Sequence, residues 1–150
     1  MAACDHIKNS GHVVCELFRE DGQVVSWEAD NLVVASGLAW IAARVGASVA
    51  AMPVNMSHMA IGTNASATQS WYTSLWAEAG RVELAGTGVT GPDTTYAAIF
   101  GPGVGSGQIT ELGIFNSSVA GIMLNRVTFA AQAKGPNDSL RVTWTVKQSA

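Results

Sequence analysis

Alternating apolar and polar side chains recur along the chain and predict short β-strands. The clearest example is residues 139–146, where the even-numbered positions are apolar and the odd-numbered positions are polar. Similar β-rich runs span residues 94–100, 108–115 and 121–129. Turn residues separate these runs at fairly regular spacing, which is typical of an antiparallel β-sandwich or a jelly-roll-like barrel.

Two further β-rich runs predict a hairpin near the N-terminus. Residues 12–18 and 23–29 flank a turn that contains Asp21-Gly22. An Asp-Gly turn between two such runs is a strong short-range hairpin signal. We therefore expect a hairpin over residues 12–29, preceded by a polar and flexible arm at residues 1–10.

One segment has helical periodicity. Leu38, Ile41, Ala42 and Val45 recur at the spacing of an α-helix. Ser36 is the expected N-cap and Gly46 the expected stop. The pattern predicts one short helix at about residues 36–47.

The remaining segments read mainly as loops. Residues 63–70 are polar, and residues 86–93 are rich in Gly, Thr and Pro. Residues 71–84 allow one helical turn or an extended end. Together the patterns predict a single domain over residues 1–150, mainly β, in an antiparallel sandwich or jelly-roll-like barrel with one short helix.

Low charge content suggests that this chain covers part of its surface with other subunits. Only 13% of residues are charged while 48% are hydrophobic, and five are tryptophan. Subunit interfaces are depleted in charge and enriched in aromatic residues. We expect a homo-oligomer, of which a trimer is one form; the alternative is a monomer with a surface of Ser, Thr and Gly.

Charge and hydropathy also limit the classes of partner that the chain is expected to bind. The net charge is −3 with no basic run, which argues against nucleic-acid binding. The longest apolar region, residues 38–52, is interrupted by Arg44, Gly46 and Ser48, so no membrane span is expected. The first residues lack the basic and apolar segments of a signal peptide.

No motif for catalysis, a cofactor or a metal emerges. The glycine-rich run at residues 101–107 lacks the Lys-Ser/Thr of a phosphate-binding loop and precedes a β-like segment, so a hairpin loop is expected. Cys4 and Cys15 have no zinc or redox spacing, and Cys15 falls within an apolar alternation that suggests the core. We expect a non-enzymatic protein without cofactor or metal.

Two groups of residues are candidates for function. Trp71, Tyr72 and Trp76 lie in a polar-flanked segment and could form a contact surface, because binding hot spots favour Trp and Tyr. Core packing is the alternative for these rings. The second group comprises charges within apolar stretches, which are either solvated edge charges or a partly buried ion-pair network: Glu78, Arg81, Glu111, Arg126 and Asp138.

An ordered series of motifs contains these charges. It runs through AIGT at 60–63, LxxExxR at 75–81, ITELGIF at 109–115, GIMLNR at 121–126, Lys134 and DSLRVTW at 138–144. The series resembles small virion proteins of tailed bacteriophages and the N-terminal domain of phage tail-collar fibre proteins, over about residues 31–146. In the fibre proteins that domain anchors a fibre to the particle. The resemblance implies no catalytic residues.

This sequence departs from the fibre proteins in two respects. We expect it to lack the fibre shaft and the receptor-binding tip, and it adds the hairpin at residues 12–29. We therefore expect a virion structural protein, assembled in the host cytoplasm, that contacts itself and tail, collar or fibre subunits. A capsid decoration protein is the alternative, and a carbohydrate-binding module is a third possibility.

Overall fold

The computed structural model describes residues 8–149, in which nine strands form one antiparallel sheet. The strands are β1 Lys8–Phe18, β2 Val24–Val33, β3 His58–Gly62, β4 Glu78–Glu83, β5 Gly86–Thr90, β6 Asp93–Phe100, β7 Gly107–Phe115, β8 Met123–Lys134 and β9 Ser139–Ser149. A helix α1, Ala35–Gly46, and a 3-10 turn, Val49–Ala51, connect β2 to β3. The predicted fold class is confirmed.

Strand β2 joins two halves of the sheet, whose order is β4-β3-β7-β8-β2-β1-β9-β6-β5. Its first part pairs with β1 up to Asn31, and its last residues, Leu32 and Val33, pair with β8. The sheet curls so far that β4, at one edge, approaches β6, near the other. Strand β2 thereby belongs to both halves of the sheet, which enclose a shared core.

The predicted hairpin is present and longer than expected. Gly22 has a positive φ of 89°, and its N–H donates to the carbonyl of Arg19 at 3.0 Å, which closes the turn between β1 and β2. The prediction of a loose arm is wrong for residues 8–10, because they extend β1 and pair with the end of β9. Residues 1–7 of that arm, including Cys4, lie outside the described residues.

The strands β1 and β9 supply the centre of the core. The alternation predicted for residues 139–146 is observed: Leu140, Val142 and Trp144 are fully buried. On the paired strand β1, Val13, Cys15 and Leu17 are equally buried. Cys15 is thus the core side chain that its alternation predicts, and burial raises the pKa of its thiol to about 12.

The helix lies against β8 through its first turn. Gly37 is its one buried residue, and a Cβ at this position would overlap the backbone carbonyl oxygen of Leu124. The prediction of Ser36 as N-cap is wrong, because Val34 occupies that position and makes no side-chain cap. The Ser36 hydroxyl instead donates to the carbonyl of Met123 at 2.8 Å and ties the helix to β8.

Two loop predictions are wrong, and one open alternative is decided. Residues 86–90, expected as loop, form the edge strand β5, which sequence reasoning missed because all five side chains are exposed and two are glycine. For residues 71–84, the extended end is observed as β4, and the alternative of a helical turn is not. The glycine-rich loop at residues 101–107 is not a hairpin, because β6 pairs with β9 while β7 pairs with β3 and β8.

Candidate functional site

A long loop carries the three candidate aromatic residues. Residues 63–77, hereafter the tryptophan loop, connect β3 to β4 without regular secondary structure. Its two ends meet, since the Thr63 N–H donates to the carbonyl of Ala77 at 3.0 Å. A loop of this length with closed ends is an Ω-loop, a type that often carries function.

The three rings contact one another but differ in their exposure to solvent. Trp71 and Trp76 are 64% and 56% exposed, whereas Tyr72 is only 5% exposed. Tyr72 stacks on Trp76 with 4.9 Å between ring centroids and meets Trp71 edge-on at 4.6 Å. The structure therefore places the two tryptophans at the surface and Tyr72 in the core beneath them.

A buried ion pair lies below Tyr72. Arg126 Nε donates to Glu111 Oε2 at 2.8 Å, and both side chains are fully buried. The Arg126 guanidinium carbon is 5.2 Å from the centroid of the Tyr72 ring. This distance is within the range of a cation–π contact, so the buried Tyr72 ring lies between Arg126 and the two exposed tryptophans.

The same two charges fix the backbone of the tryptophan loop. Glu111 Oε1 accepts hydrogen bonds from the N–H groups of Asn64 and Ala77, at 3.2 and 3.1 Å. Arg126 Nη1 donates to the Ser66 carbonyl at 2.8 Å and to the Thr68 hydroxyl at 2.9 Å. Hydrogen bonds to a charged partner are stronger than neutral ones, so the pair holds the loop in one conformation.

Glycine makes room for this arrangement. Gly62 pairs with Glu111 across β3 and β7, and a Cβ there would overlap Glu111 Oε1. Gly113 pairs with Arg126, and a Cβ there would press on Leu75 of the tryptophan loop at 3.0 Å. Sequence reasoning missed both roles, although both glycines lie within the AIGT and ITELGIF motifs.

A second ion pair, between Glu78 and Arg81, depends on a strand irregularity. Residues three apart on a regular strand point to opposite faces. Ile61 of β3 pairs with Gly80 of β4, and the next residue, Gly62, pairs with Glu78. Ala79 is therefore an extra residue in β4. This extra residue, a β-bulge, shifts the alternation by one position, so Glu78 and Arg81 point to the same face of the strand. Arg81 Nη2 therefore reaches Glu78 Oε1 at 2.7 Å.

Arg81 also fixes the turn between β7 and β8. Its Nη1 donates to the carbonyls of Ser117 and Ala120, both at 2.9 Å. Its guanidinium lies over the buried ring of Phe115, 3.9 Å from the centroid. This arginine thus combines an ion pair, two backbone hydrogen bonds and a ring contact at one position.

The fifth candidate charge lies elsewhere and has a partner that sequence reasoning did not select. Asp138 Oδ2 is 3.6 Å from Arg19 Nη1. Its carboxylate also accepts the N–H groups of Gly135 and Glu20, at 2.8 and 3.0 Å, and these two hydrogen bonds are the main reason that its pKa is lowered. Among the described residues, the five charges and Arg19 thus form three separate ion pairs, not one network.

No group of three or more His, Cys, Asp or Glu side chains within residues 8–149 is placed to hold a metal ion. His12 lies on the surface beside Asp30 and Glu28, and its hydrogen bond to Asp30 raises its pKa. None of the described helices has the length and apolar character needed to cross a membrane.

Comparison with known proteins gives no relative. No family model matches the chain, and no significant match was found among curated proteins or solved structures.

Proposed function

We propose that this chain is a non-enzymatic structural protein of a tailed bacteriophage virion, acting through protein contacts at the tail, collar or fibre attachment. The observation that carries the contact role is the exposed Trp71 and Trp76 pair on a loop held by buried charges. The assignment to a phage particle depends on the motif series from AIGT to DSLRVTW.

The tryptophan pair has the properties of a binding hot spot. Trp and Tyr dominate such sites because they bury large areas with few rotatable bonds. A rigid scaffold also lowers the entropy lost on binding. Arg126 and Glu111 provide that rigidity here, since they bond the backbone of Asn64, Ser66 and Ala77. The partner would be another virion protein.

Several residues of the motif series build this one site. Gly62, Leu75, Glu111, Gly113 and Arg126 all contribute to the support beneath the tryptophan loop. In this proposal these residues hold the contact loop in place, while the exposed residues of that loop select the partner.

A copy-number measurement tests the proposed location. Quantitative mass spectrometry would be applied to purified particles, with heads and tails separated. A few to some tens of copies travelling with the tails is the expected result. Hundreds of copies travelling with the heads would instead identify a capsid decoration protein. Absence from both fractions would overturn the virion proposal.

A paired substitution tests the proposed surface. Trp71→Ser combined with Trp76→Ser should reduce incorporation into particles at least tenfold, because hot-spot residues carry most of the binding energy. Ile99→Ser is the matched control, since Ile99 is 55% exposed and lies on β6. Equal incorporation of both variants would remove the tryptophan pair from the interface.

The carbohydrate-binding alternative has one observation in its favour. A groove of about 320 Å³ contains Trp40, Arg44 and Tyr96. However, Tyr96 is only 5% exposed, and the Arg44 guanidinium lies over the Trp40 ring, 6.0 Å from its centroid. Little aromatic face is left for stacking a sugar. A glycan array with reproducible hits, abolished by Trp40→Ala, would favour this alternative.

A further inference from the structure

The groove of about 320 Å³ lies between helix α1 and the hairpin formed by β5 and β6. Trp40 and Arg44 line it from the helix, on which residues four apart are neighbours on one face. Thr87 and Tyr96 are paired across the hairpin, and both line the groove from the strands. Its volume falls within the range of small-ligand sites, about 300–1,000 Å³.

The groove accounts for the exposed side chains of strand β5. Directly opposed residues of an antiparallel pair lie on the same face of the sheet. Thr87 and Val89 are opposite Tyr96 and Thr94, so they lie on the inner face, which carries the core. Val89 is nevertheless 73% exposed. The inner face therefore extends past the core at this edge and forms a wall of the groove.

Arg44 brings a positive charge to the groove without a carboxylate to balance it. Within residues 8–149 it forms no ion pair, and none of the described residues that line the groove is acidic. Its Nη1 donates to the Pro53 carbonyl at 2.9 Å, while its Nε and Nη2 have no acceptor in the described part of the chain. The planar guanidinium fork thus has donors left for a ligand.

The Tyr96 hydroxyl is a second donor without a partner. This side chain is only 5% exposed, and its hydroxyl makes no hydrogen bond to any of residues 8–149. Burial raises the pKa of the hydroxyl, and the nearby positive charge of Arg44 opposes the rise, so the hydroxyl keeps its proton at neutral pH. A buried hydroxyl without a partner is destabilising, and an oxygen atom of a ligand in the groove would accept its hydrogen bond.

We infer that this groove binds a carboxylate that is attached to an apolar group. The guanidinium fork of Arg44 matches the two oxygens of a carboxylate, and the Tyr96 hydroxyl can donate to one of them. Met56 and Val89 line the same groove and supply apolar contact for the rest of the ligand. A phosphate monoester carries nearly two negative charges at neutral pH, which a single arginine does not balance, so a carboxylate fits the charge better.

The inference goes beyond the proposed function, since none of the described residues that line the groove belongs to the tryptophan loop. Two sources present the same chemistry. One is the C-terminal residue of another protein, whose carboxylate adjoins an apolar side chain, and the other is a free aliphatic acid.

Titration of the isotope-labelled full chain with sodium hexanoate, followed by NMR, tests the inference. Hexanoate should bind with a Kd on the order of 1 mM, as expected for so small a ligand. It should shift the signals of the Arg44 Nε–H group and of the Thr87 and Thr94 amides. Hexanamide has the same shape without the charge and should bind roughly tenfold more weakly or less, because hydrogen bonds to a charged partner are the stronger ones.

Two substitutions separate the contributions of the two donors. Tyr96→Phe removes only the hydroxyl and should weaken hexanoate binding roughly tenfold. It should not lower the melting temperature, because that hydroxyl has no partner to lose. Arg44→Gln should abolish measurable binding. Arg141→Gln is the matched control and should bind like the original protein, since Arg141 pairs with Glu16 and does not line the groove. The NMR spectrum of each variant shows whether it is folded.

Three results would overturn the inference: hexanamide that binds as tightly as hexanoate, signal shifts confined to other parts of the chain, or a folded Tyr96→Phe variant with unchanged affinity. Inorganic phosphate that binds at these residues more tightly than hexanoate would overturn the choice of a carboxylate. N-acetyl-alanyl-leucine distinguishes the two sources. Tighter binding than hexanoate would support the C-terminus of a protein, and equal or weaker binding would support a free acid.

Discussion

Glu111 and Arg126 lie on neighbouring strands and form a fully buried ion pair, with 2.8 Å between Oε2 and Nε. They are diagonal neighbours, because Glu111 pairs with Thr128 and Arg126 pairs with Gly113. Two charges can be kept in such a position only if each is fully hydrogen-bonded. The backbone of the tryptophan loop supplies those bonds, so the loop and the ion pair depend on each other.

Removing one partner should therefore be costly. Glu111→Ala leaves Arg126 buried without its counter-charge and should lower the free energy of unfolding by roughly 3–5 kcal/mol. Glu20→Ala is the control: Glu20 is exposed and accepts one surface hydrogen bond, so its loss should change stability by about 0.5 kcal/mol or less. Urea unfolding measures both, and equal midpoints would contradict the importance of the buried pair.

Arg81→Ala should also destabilise more than Glu20→Ala. The substitution removes the ion pair to Glu78 and two hydrogen bonds to the turn between β7 and β8. Because Arg81 and Arg126 hold different loops, the losses from Arg81→Ala and Glu111→Ala should add in the double variant. Clear non-additivity would instead indicate that the two ion pairs are coupled.

Substitution of Gly62 should also destabilise the protein, because the Glu111 carboxylate occupies the space that a side chain would need. In Gly62→Ala the new methyl group would overlap Glu111 Oε1 and crowd the Ala77 carbonyl. Overpacking of this kind costs about 1–3 kcal/mol. Gly88→Ala, in the edge strand β5, is a matched control because nothing lies within 4 Å of its Cβ. Thermal unfolding should separate the two variants, and a Gly62→Ala protein as stable as Gly88→Ala would show that Glu111 can move at little cost.

Among the three rings, Tyr72 should contribute to stability, whereas Trp71 and Trp76 should contribute mainly to binding. Tyr72→Ala removes a buried ring above Arg126 and should cost roughly 3–5 kcal/mol of stability. Trp71→Ala removes a largely exposed ring and should cost about 1 kcal/mol, the value of an aromatic pair. Calorimetry of both variants, with Tyr72→Phe as the conservative control, checks this division. A larger loss from Trp71→Ala would assign it to the core.

The sequence predicts the strands well where one face is buried and poorly where neither is. The strand β9 follows from its alternation, whereas β5 has no buried side chain and hence no pattern. The helix is found from its period, yet three of the residues that create the period, Leu38, Ala42 and Val45, face solvent. Ile41 packs against the core, and Gly37 is the buried residue beside β8. Periodicity detects an apolar face but does not say whether the core or another subunit covers it.

The candidate site is likewise only partly predictable from the sequence. The five charges and three rings can be selected from sequence because each interrupts a local pattern. Their pairing cannot, because it depends on register: the bulge at Ala79 places Glu78 beside Arg81, and the pairing of Gly113 with Arg126 brings Glu111 near. Arg19 pairs with Asp138 across 119 positions of sequence separation, which no local pattern reveals.

Gly37 should show how closely the helix is fitted to the sheet. Replacing a helical glycine by alanine normally stabilises a helix by about 1 kcal/mol. At Gly37 the added methyl group would meet the Leu124 carbonyl, so Gly37→Ala should instead destabilise the protein by about 1–3 kcal/mol. Gly46→Ala, with open space around its Cβ, should be neutral or slightly stabilising. Opposite signs in urea unfolding are expected, and two equal shifts would place α1 away from β8.

Asp138 should make stability depend on pH in the acid range. Its pKa is lowered in the folded state, chiefly by the N–H groups of Gly135 and Glu20, with a smaller contribution from Arg19. A lowered pKa stabilises the folded state above the ordinary Asp pKa, and that stabilisation is lost as the pH falls through the folded-state value. The stability difference between the original protein and Asp138→Asn should therefore be largest near pH 7 and shrink below about pH 4.

Arg19→Ala gives an independent check on the same carboxylate. Without the guanidinium 3.6 Å away, the pKa of Asp138 should be less depressed, so the acid loss of stability should be smaller and should be complete at a higher pH. Urea unfolding at a series of pH values measures all three proteins. Parallel curves for the original protein and Asp138→Asn over the whole range would mean that this carboxylate is not stabilised in its ionised form, and that the turn formed by residues 135–138 owes its order to the backbone alone.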